Sequence, residues 1–407
     1  MSTNSNNTMK AMPIFLAFLC MGFGDSVGPL VGLSKETFHL TTFRAQLIPT
    51  MGFIMFGLLS VIMGLFQDRK GKKFLLVLGL ILAFIGMVIP IIDGMYGPKI
   101  TVDPTSDEKF YIILFAMLIL GAGATTLQVS GNPIMRDVSP EGKFSSNLSF
   151  AQTVKAVGSS FGFLIPSFLI IPLGKLFGLT LDWTILFPIY GLFILLTLLW
   201  VYSTKIEEKK DPNSNPASLV SCLSLLKNPY ILMMVLAIFL YVGAEVSMSS
   251  GVPLLVHEKY GIDLKELGLV LSWGLFFFPI FIGRLIGGFI LRYLQPKIFL
   301  VATVLMSLVG IVMMFLGSQS MAFAGIVLVG LGFANIFPLV FSITIDKMPE
   351  RSNEISGLMV TAIVGGAFIP PIFGFVADHT NILVGFLVPA VCLIYILFTA
   401  LSNRKTA

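Results

Sequence analysis

Apolar residues run along this chain in blocks separated by short polar segments, and most blocks reach the length of about twenty residues that a helix needs to cross a bilayer. The pattern predicts helices over 12–33, 45–66, 74–93, 111–133, 147–172 and 181–203. A second set follows over 230–256, 267–294, 298–316, 320–346, 354–377 and 381–402. Between the sets lies KIEEKKDPNSNPASLV, charged first and then rich in Pro, Ser and Asn, which reads as a linker. The expected organisation is an N-terminal six-helix bundle over 1–203, a cytoplasmic linker over 204–229 and a C-terminal six-helix bundle over 230–407. The apolar run after MSTNSNNTMK is too long for the core of a cleaved signal peptide, so it counts as the first span.

Composition agrees with that class. Of 407 residues, 56% are hydrophobic and 12% charged, where ordinary soluble domains carry about a quarter charged residues. The expected fold is an all-α integral membrane protein of twelve transmembrane helices in two pseudo-symmetric bundles. What remains outside the spans is too short for a soluble domain of normal size, which disfavours a sensor with an output domain. The net charge of +5 comes from basic residues scattered singly along loops, so it speaks of topology rather than of nucleic acid. Counting Lys and Arg on each side of the predicted spans gives seventeen against seven, which puts both termini and the linker on the cytoplasmic side of an inner membrane. Cys20, Cys222 and Cys392 are far apart and read as small packing residues, and His39, His257 and His379 all fall in predicted loops. No metal or cofactor is expected. An enzyme is disfavoured, because no nucleophile, base and orienter cluster appears.

The candidate chemistry lies in polar residues inside the apolar blocks. A Lys near the middle of a spanning helix costs roughly 2.5–3.5 kcal/mol, so it normally faces protein or a wet cavity. Lys155 and Arg284 are the two bases in such positions, and Asp25 and Glu245 are the acids. Around them stand the amides of Gln128, Asn132, Asn147, Gln152 and Asn335 and the aromatic rings of Tyr241 and Trp273. A carboxylate in a partly desolvated cavity favours its protonated form, while a nearby cation opposes this, and such a group can couple proton movement to solute movement. Asp25 is the first choice for that role and Glu245 the second. Arg284 serves equally well as a clamp between helices, Asn132 suits the backbone groups freed by Pro133, and Tyr241 and Trp273 suit either a sugar face or plain packing.

Faint repetition supports two related halves. FLCMGFGD at Phe18–Asp25 is echoed by FLYVGAE at Phe239–Glu245, and Ser149, Gly158 and Phe161 by Ser356, Gly365 and Phe368 at the same intervals. GNP at Gly131–Pro133 has a counterpart in ANIFP at Ala334–Pro338.

Gly64, Asp68, Arg69, Gly71, Lys72 and Lys73, in GLFQDRKGKK between the second and third blocks, resemble the signature loop of the major facilitator superfamily. Glycine there would let helices approach, and the carboxylate would pair with a basic turn or a helix end, forming a cytoplasmic latch. GRLIGGFIL at Gly283–Leu291, YVGAE at Tyr241–Glu245, IVGGAFIPPIFGFVAD at Ile363–Asp378 and the fourth and fifth spans look like the fucose/galactose/glucose proton symporter family within that superfamily. The resemblance covers nearly the whole chain and implies proton-coupled uptake of a sugar by one polypeptide. The bacterial fucose permeases carry Glu at the place of Gln128, Gln at that of Glu245 and Asn at that of Lys155, and their proton-carrying Asp has its nearest counterpart in Asp25.

The expected function is therefore proton-coupled import of a hexose, deoxyhexose or N-acetylhexosamine by alternating access in a monomer. Two alternatives stay open. A cation at Lys155 suits an anionic sugar acid such as a sialic acid or hexuronate, and without one Lys155 needs Asp25 or Glu245 as a standing partner. A drug or metabolite efflux antiporter shares the signature loop, although the several amides favour a sugar.

Overall fold

A computed structural model describes residues 2–99, 107–138, 144–206, 219–291, 293–348 and 351–404. Among them the secondary structure is helical, apart from a lone bridge between Pro98 and Leu181. Eleven helices are long and apolar enough to span a membrane, from Met12–Phe38 to Ile382–Asn403, and a bent pair supplies a twelfth. The chain is a multi-pass membrane protein.

The fifth predicted span is the one whose form differs most. Thr153–Phe168 and Ile170–Phe177 meet at an angle of 58°. Pro172 has no N–H to give the Phe168 carbonyl four residues earlier, so the helical ladder fails at that point. Two of the three histidines are helical, contrary to the loop expectation: His257 lies in Pro229–Glu258 and His379 closes Gly365–His379.

The chain divides into two compact units, Met1–Ser26 with Ile54–Ser218, and Val27–Phe53 with Leu219–Ala407. In the first, helix Ser2–Asp25 lies against Phe144–Phe168 at a glycine contact. A Cβ on Gly22 would strike the Lys155 carbonyl, and one on Gly158 would strike the Leu19 carbonyl, so the backbones touch only because both side chains are absent. Phe161, Phe23, Tyr190 and Phe193 then stack around that contact, with Phe23 and Tyr190 parallel at 4.0 Å.

In the second unit, Pro229–Glu258 and Gly365–His379 meet in the same way. A Cβ on Gly365 would strike the Phe239 carbonyl, and Phe368 stacks on Phe239 at 6.0 Å. Gly158 with Phe161 and Gly365 with Phe368 are the positions at which the sequence repeats itself, and each pair does the same packing work. The segment Val27–Phe53 docks on this unit through polar groups: Asp378 accepts from the Thr42 and Phe43 amides at 2.7 Å each, and Ser250 donates to Gln46 Oε1 at 3.0 Å.

Filling either glycine contact should damage folding. Gly158→Val and Gly365→Val are each expected to cost about 1–3 kcal/mol or more, whereas Gly64→Ala, at a position with open space around it, should stay within about 0.5 kcal/mol. Thermal melting of detergent-purified protein measures this, and equal melting points for all three variants would contradict the packing described.

Candidate functional site

Two acid and base pairs, Asp25 with Lys155 in the first unit and Glu245 with Arg284 in the second, stand beside breaks in helices. The first break follows from Pro29, which has no N–H for the Asp25 carbonyl. Helix Ser2–Asp25 stops there and Val27–Phe38 restarts beyond Ser26. The Ser26 hydroxyl donates to the Ser159 carbonyl at 3.1 Å and accepts from Tyr190 Oη at 3.3 Å, which fixes the break to neighbouring helices.

Asp25 is the last residue before that turn. Its Oδ2 lies 2.8 Å from Lys155 Nζ, and Lys155 also donates to Gln128 Oε1 at 3.4 Å. The Gly22 and Gly158 contact is what brings Lys155 so close to the first helix. The side chains of Lys155 and Asp25 are 19% and 30% exposed, so the pair is neither dry nor free in solvent. Two unit charges this close gain roughly 6 kcal/mol at an effective dielectric near 20, against a desolvation cost of several kcal/mol per ion. The two terms nearly cancel, so a modest chemical event can open the pair.

The second unit places Glu245, Arg284, Tyr241 and Asn335 together. Arg284 Nη2 stands 3.6 Å from Glu245 Oε1, and Arg284 Nε donates to the Ala334 carbonyl at 3.3 Å. Ala334 and Asn335 separate Gln319–Phe333 from Ile336–Lys347. The break has the same cause as the first, because Pro338 offers no N–H to Ala334. The Asn335 amide donates to the Gly283 carbonyl at 2.8 Å, and Tyr241 Oη donates to the Phe333 carbonyl at 3.0 Å.

A model of the Major Facilitator Superfamily matches residues 14–371. The chain belongs to the Major Facilitator Superfamily. It is 29% identical, over 98% of both chains, to a Helicobacter pylori (strain J99) protein that carries the name of a candidate glucose/galactose transporter. It is 24% identical to the L-fucose-proton symporter of Escherichia coli (strain K12), over 92% of this chain and 88% of that one. The crystal structure of the superfamily transporter FucP in its outward conformation matches with a TM-score of 0.70 at 22% identity, over 97% of this chain and 98% of that one. The fold is thus that of major facilitator transporters, a family of carriers rather than enzymes.

Within this superfamily member, the residues expected to bind solute are only partly brought together. Asp25, Lys155 and Gln128 form one cluster, and Glu245, Arg284, Tyr241 and Asn335 another. Trp273 is half-buried in a π-helical turn, Trp273–Phe277, with its ring 5.4 Å from that of Phe278. The side chains of Asn132, Asn147 and Gln152 lie outside the described residues. Two expectations need correction. Tyr241 is 1% exposed, so it offers no open face for a sugar to stack on. Asn335 is buried, with its amide committed to Gly283 and its side chain filling the space above Gly287, so it is a strut between helices.

The signature loop also differs from expectation. Gly71 opens helix Lys72–Ile92 with φ of 92°, a conformation that suits glycine. Lys73 donates to the Tyr202 carbonyl at 3.0 Å, which ties the loop to the end of helix Leu186–Ser203. Gly64 stands in open space among the described residues, so it does not serve helix approach here. Arg69 is exposed and Lys72 half-buried, while the side chain of Asp68 lies outside the described residues.

Sequence reasoning missed a polar cluster of the second unit: Asp378 on the Thr42 and Phe43 amides, Lys35 with Glu258, Glu36 with His257 at 3.2 Å, and Gln46 with Ser250. Gln46 and Ser250, polar in apolar blocks, were the available signal. More than two hundred residues of separation hid the pairing.

Removing one partner of the Asp25 and Lys155 pair should hurt stability more than removing both. Lys155→Gln is expected to cost about 1–3 kcal/mol, and adding Asp25→Asn should recover part of the loss, because the single variant leaves a charge without its partner. Melting temperatures of the two single variants and the double variant test this, and additive losses would show that the charges do not interact.

Proposed function

We propose that this chain is a proton-coupled symporter that imports a neutral monosaccharide, a hexose, deoxyhexose or N-acetylhexosamine, by alternating access. The two halves would be 1–203 and 230–407, joined by a cytoplasmic linker, in a monomer embedded in the inner membrane with both termini in the cytoplasm. Similarity over nearly the full length to proteins named as a glucose/galactose transporter and an L-fucose-proton symporter supports the class of solute and the coupling ion.

The observation that carries the choice of a neutral sugar is the 2.8 Å pair between Lys155 and Asp25. Lys155 has its counter-charge from the protein, so it needs none from the solute. A sugar acid would have to pull Lys155 away from Asp25 and leave that carboxylate alone in a poorly solvated site.

The same pair supplies a coupling mechanism. A proton arriving on Asp25 cancels the charge that holds Lys155. Lys155 Nζ and the Gln128 carboxamide are then free to hydrogen-bond sugar hydroxyls, which take donors and acceptors alike. When the proton leaves, the ion pair re-forms, Lys155 withdraws, and the sugar loses its partners. Proton and sugar therefore travel together. Gln152, Asn147, Asn132 and Trp273 complete the proposed solute contacts, and the Glu245 and Arg284 pair stays ionised as the neutral counterpart in the second half.

Purified protein in proteoliposomes, given an inward proton gradient and a panel of neutral and acidic sugars, tests the reading. Gradient-driven accumulation of a neutral hexose, abolished by a protonophore, is expected. In Asp25→Asn, accumulation should fall at least about tenfold, the effect of one lost interaction of about 1.4 kcal/mol, while sugar exchange across the membrane without net proton movement persists. Uptake of an acidic sugar alone, with specific loss in Lys155→Gln, would overturn the neutral reading, and export of amphipathic compounds would overturn symport.

A further inference from the structure

The break in the tenth span, Gln319–Lys347, leaves backbone carbonyls in need of donors, and side chains from two other helices supply them. Pro338 deprives the Ala334 carbonyl of its helical N–H, and Arg284 Nε takes its place at 3.3 Å. Tyr241 Oη reaches the neighbouring Phe333 carbonyl at 3.0 Å. From the far side of the break, Asn335 ties back to the Gly283 carbonyl, one residue before Arg284. Gly283 itself abuts Ala334, and Gly287 leaves the space that the Asn335 side chain occupies. The break is thus held on both sides of its turn.

The holders are also wired to an acid. Tyr241 and Glu245 are four residues apart on Pro229–Glu258, on one helix face. Arg284 uses one nitrogen for the Ala334 carbonyl and another for Glu245, 3.6 Å away. A guanidinium is a planar fork and serves two acceptors at fixed angles, so a shift of one acceptor is felt by the other. Tyr241 is fully buried, and its ring packs on Phe333 and Phe337, which lie on opposite sides of the break, at 5.5 and 6.3 Å.

We infer that Tyr241 is a positioning residue for transport: with Arg284 it sets the bend of the tenth span in register with Glu245, so that movement at Glu245 is passed to the helix break. This rests on reading the chain as a sugar carrier. Tyr241 touches no solute in this role. Its hydroxyl selects one geometry of the break, and the geometry must change for the carrier to turn over.

The experiment uses full-length protein with spin labels at Met321→Cys and Ser342→Cys, on either side of the break, with Cys20, Cys222 and Cys392 replaced. The distance between the labels is measured in parallel with sugar exchange in proteoliposomes. Tyr241→Phe keeps the ring and removes only the hydroxyl. The expected result is a broadened or two-component distance distribution, and a maximal exchange rate per folded molecule lower by about three- to tenfold, the loss of one hydrogen bond, with KM within about twofold. Arg284→Lys, which keeps the charge but not the fork, should broaden the distances in the same way. An unchanged distribution in Tyr241→Phe overturns the proposal, and so does a changed distribution with wild-type exchange. The distance measurement needs no sugar, so failure of the wild-type protein to carry any sugar would count against the carrier reading and not against the hold on the break.

Discussion

A charge or an unpaired backbone group inside hydrocarbon must find a partner within the protein, and most of what is distinctive in this chain follows from that requirement. Lys155 and Arg284 lie well inside their helices, and each stands beside a carboxylate of its own unit, Asp25 in one and Glu245 in the other.

The backbone obeys the same rule, and it decides where the acids and bases end up. Pro29 and Pro338 each remove one N–H from a helix interior, and the carbonyls freed are those of Asp25 and Ala334. The first break carries an ionisable side chain on its last helical residue. The second is held by an ionisable side chain from another helix. Tyrosine hydroxyls attend both, Tyr190 through Ser26 and Tyr241 through Phe333. Local loss of helix is costly, and at the second break side chains from other helices donate to the Ala334 and Phe333 carbonyls.

Much of this was legible in the sequence, for identifiable reasons. Spanning helices announce themselves by length and apolarity, and Lys155 stood out because nothing near it in sequence was charged. The repeat of Gly158 and Phe161 by Gly365 and Phe368 was visible because close backbone contact tolerates only glycine there. What stayed hidden was direction. Tyr241 has the composition of a sugar-stacking ring, and only its burial shows that its hydroxyl serves the backbone instead. Gly64 belongs to a familiar loop, yet its surroundings are open, since a motif records residue types and not their neighbours. Asp378 lay in a quoted stretch without a role, because its partners, the Thr42 and Phe43 amides, are backbone groups that no side-chain pattern reports.

The neutrality of each pair bears on energetics as well as on solute choice. With Asp25 and Lys155 cancelling, and Glu245 and Arg284 cancelling, an empty site contributes no net charge to the return step. Loaded with one proton and a neutral sugar, as proposed, it would carry one positive charge, so a membrane potential that is negative inside would drive the loaded step inward and leave the empty step unaffected. About 100 mV acting on one elementary charge is worth roughly 2.3 kcal/mol, and that alone supports an accumulation of about fifty-fold. A sugar acid carried with one proton would cancel that charge and forfeit this driving force. In the proposed symport, self-contained ion pairs would let the proton bring its full charge into the transport step.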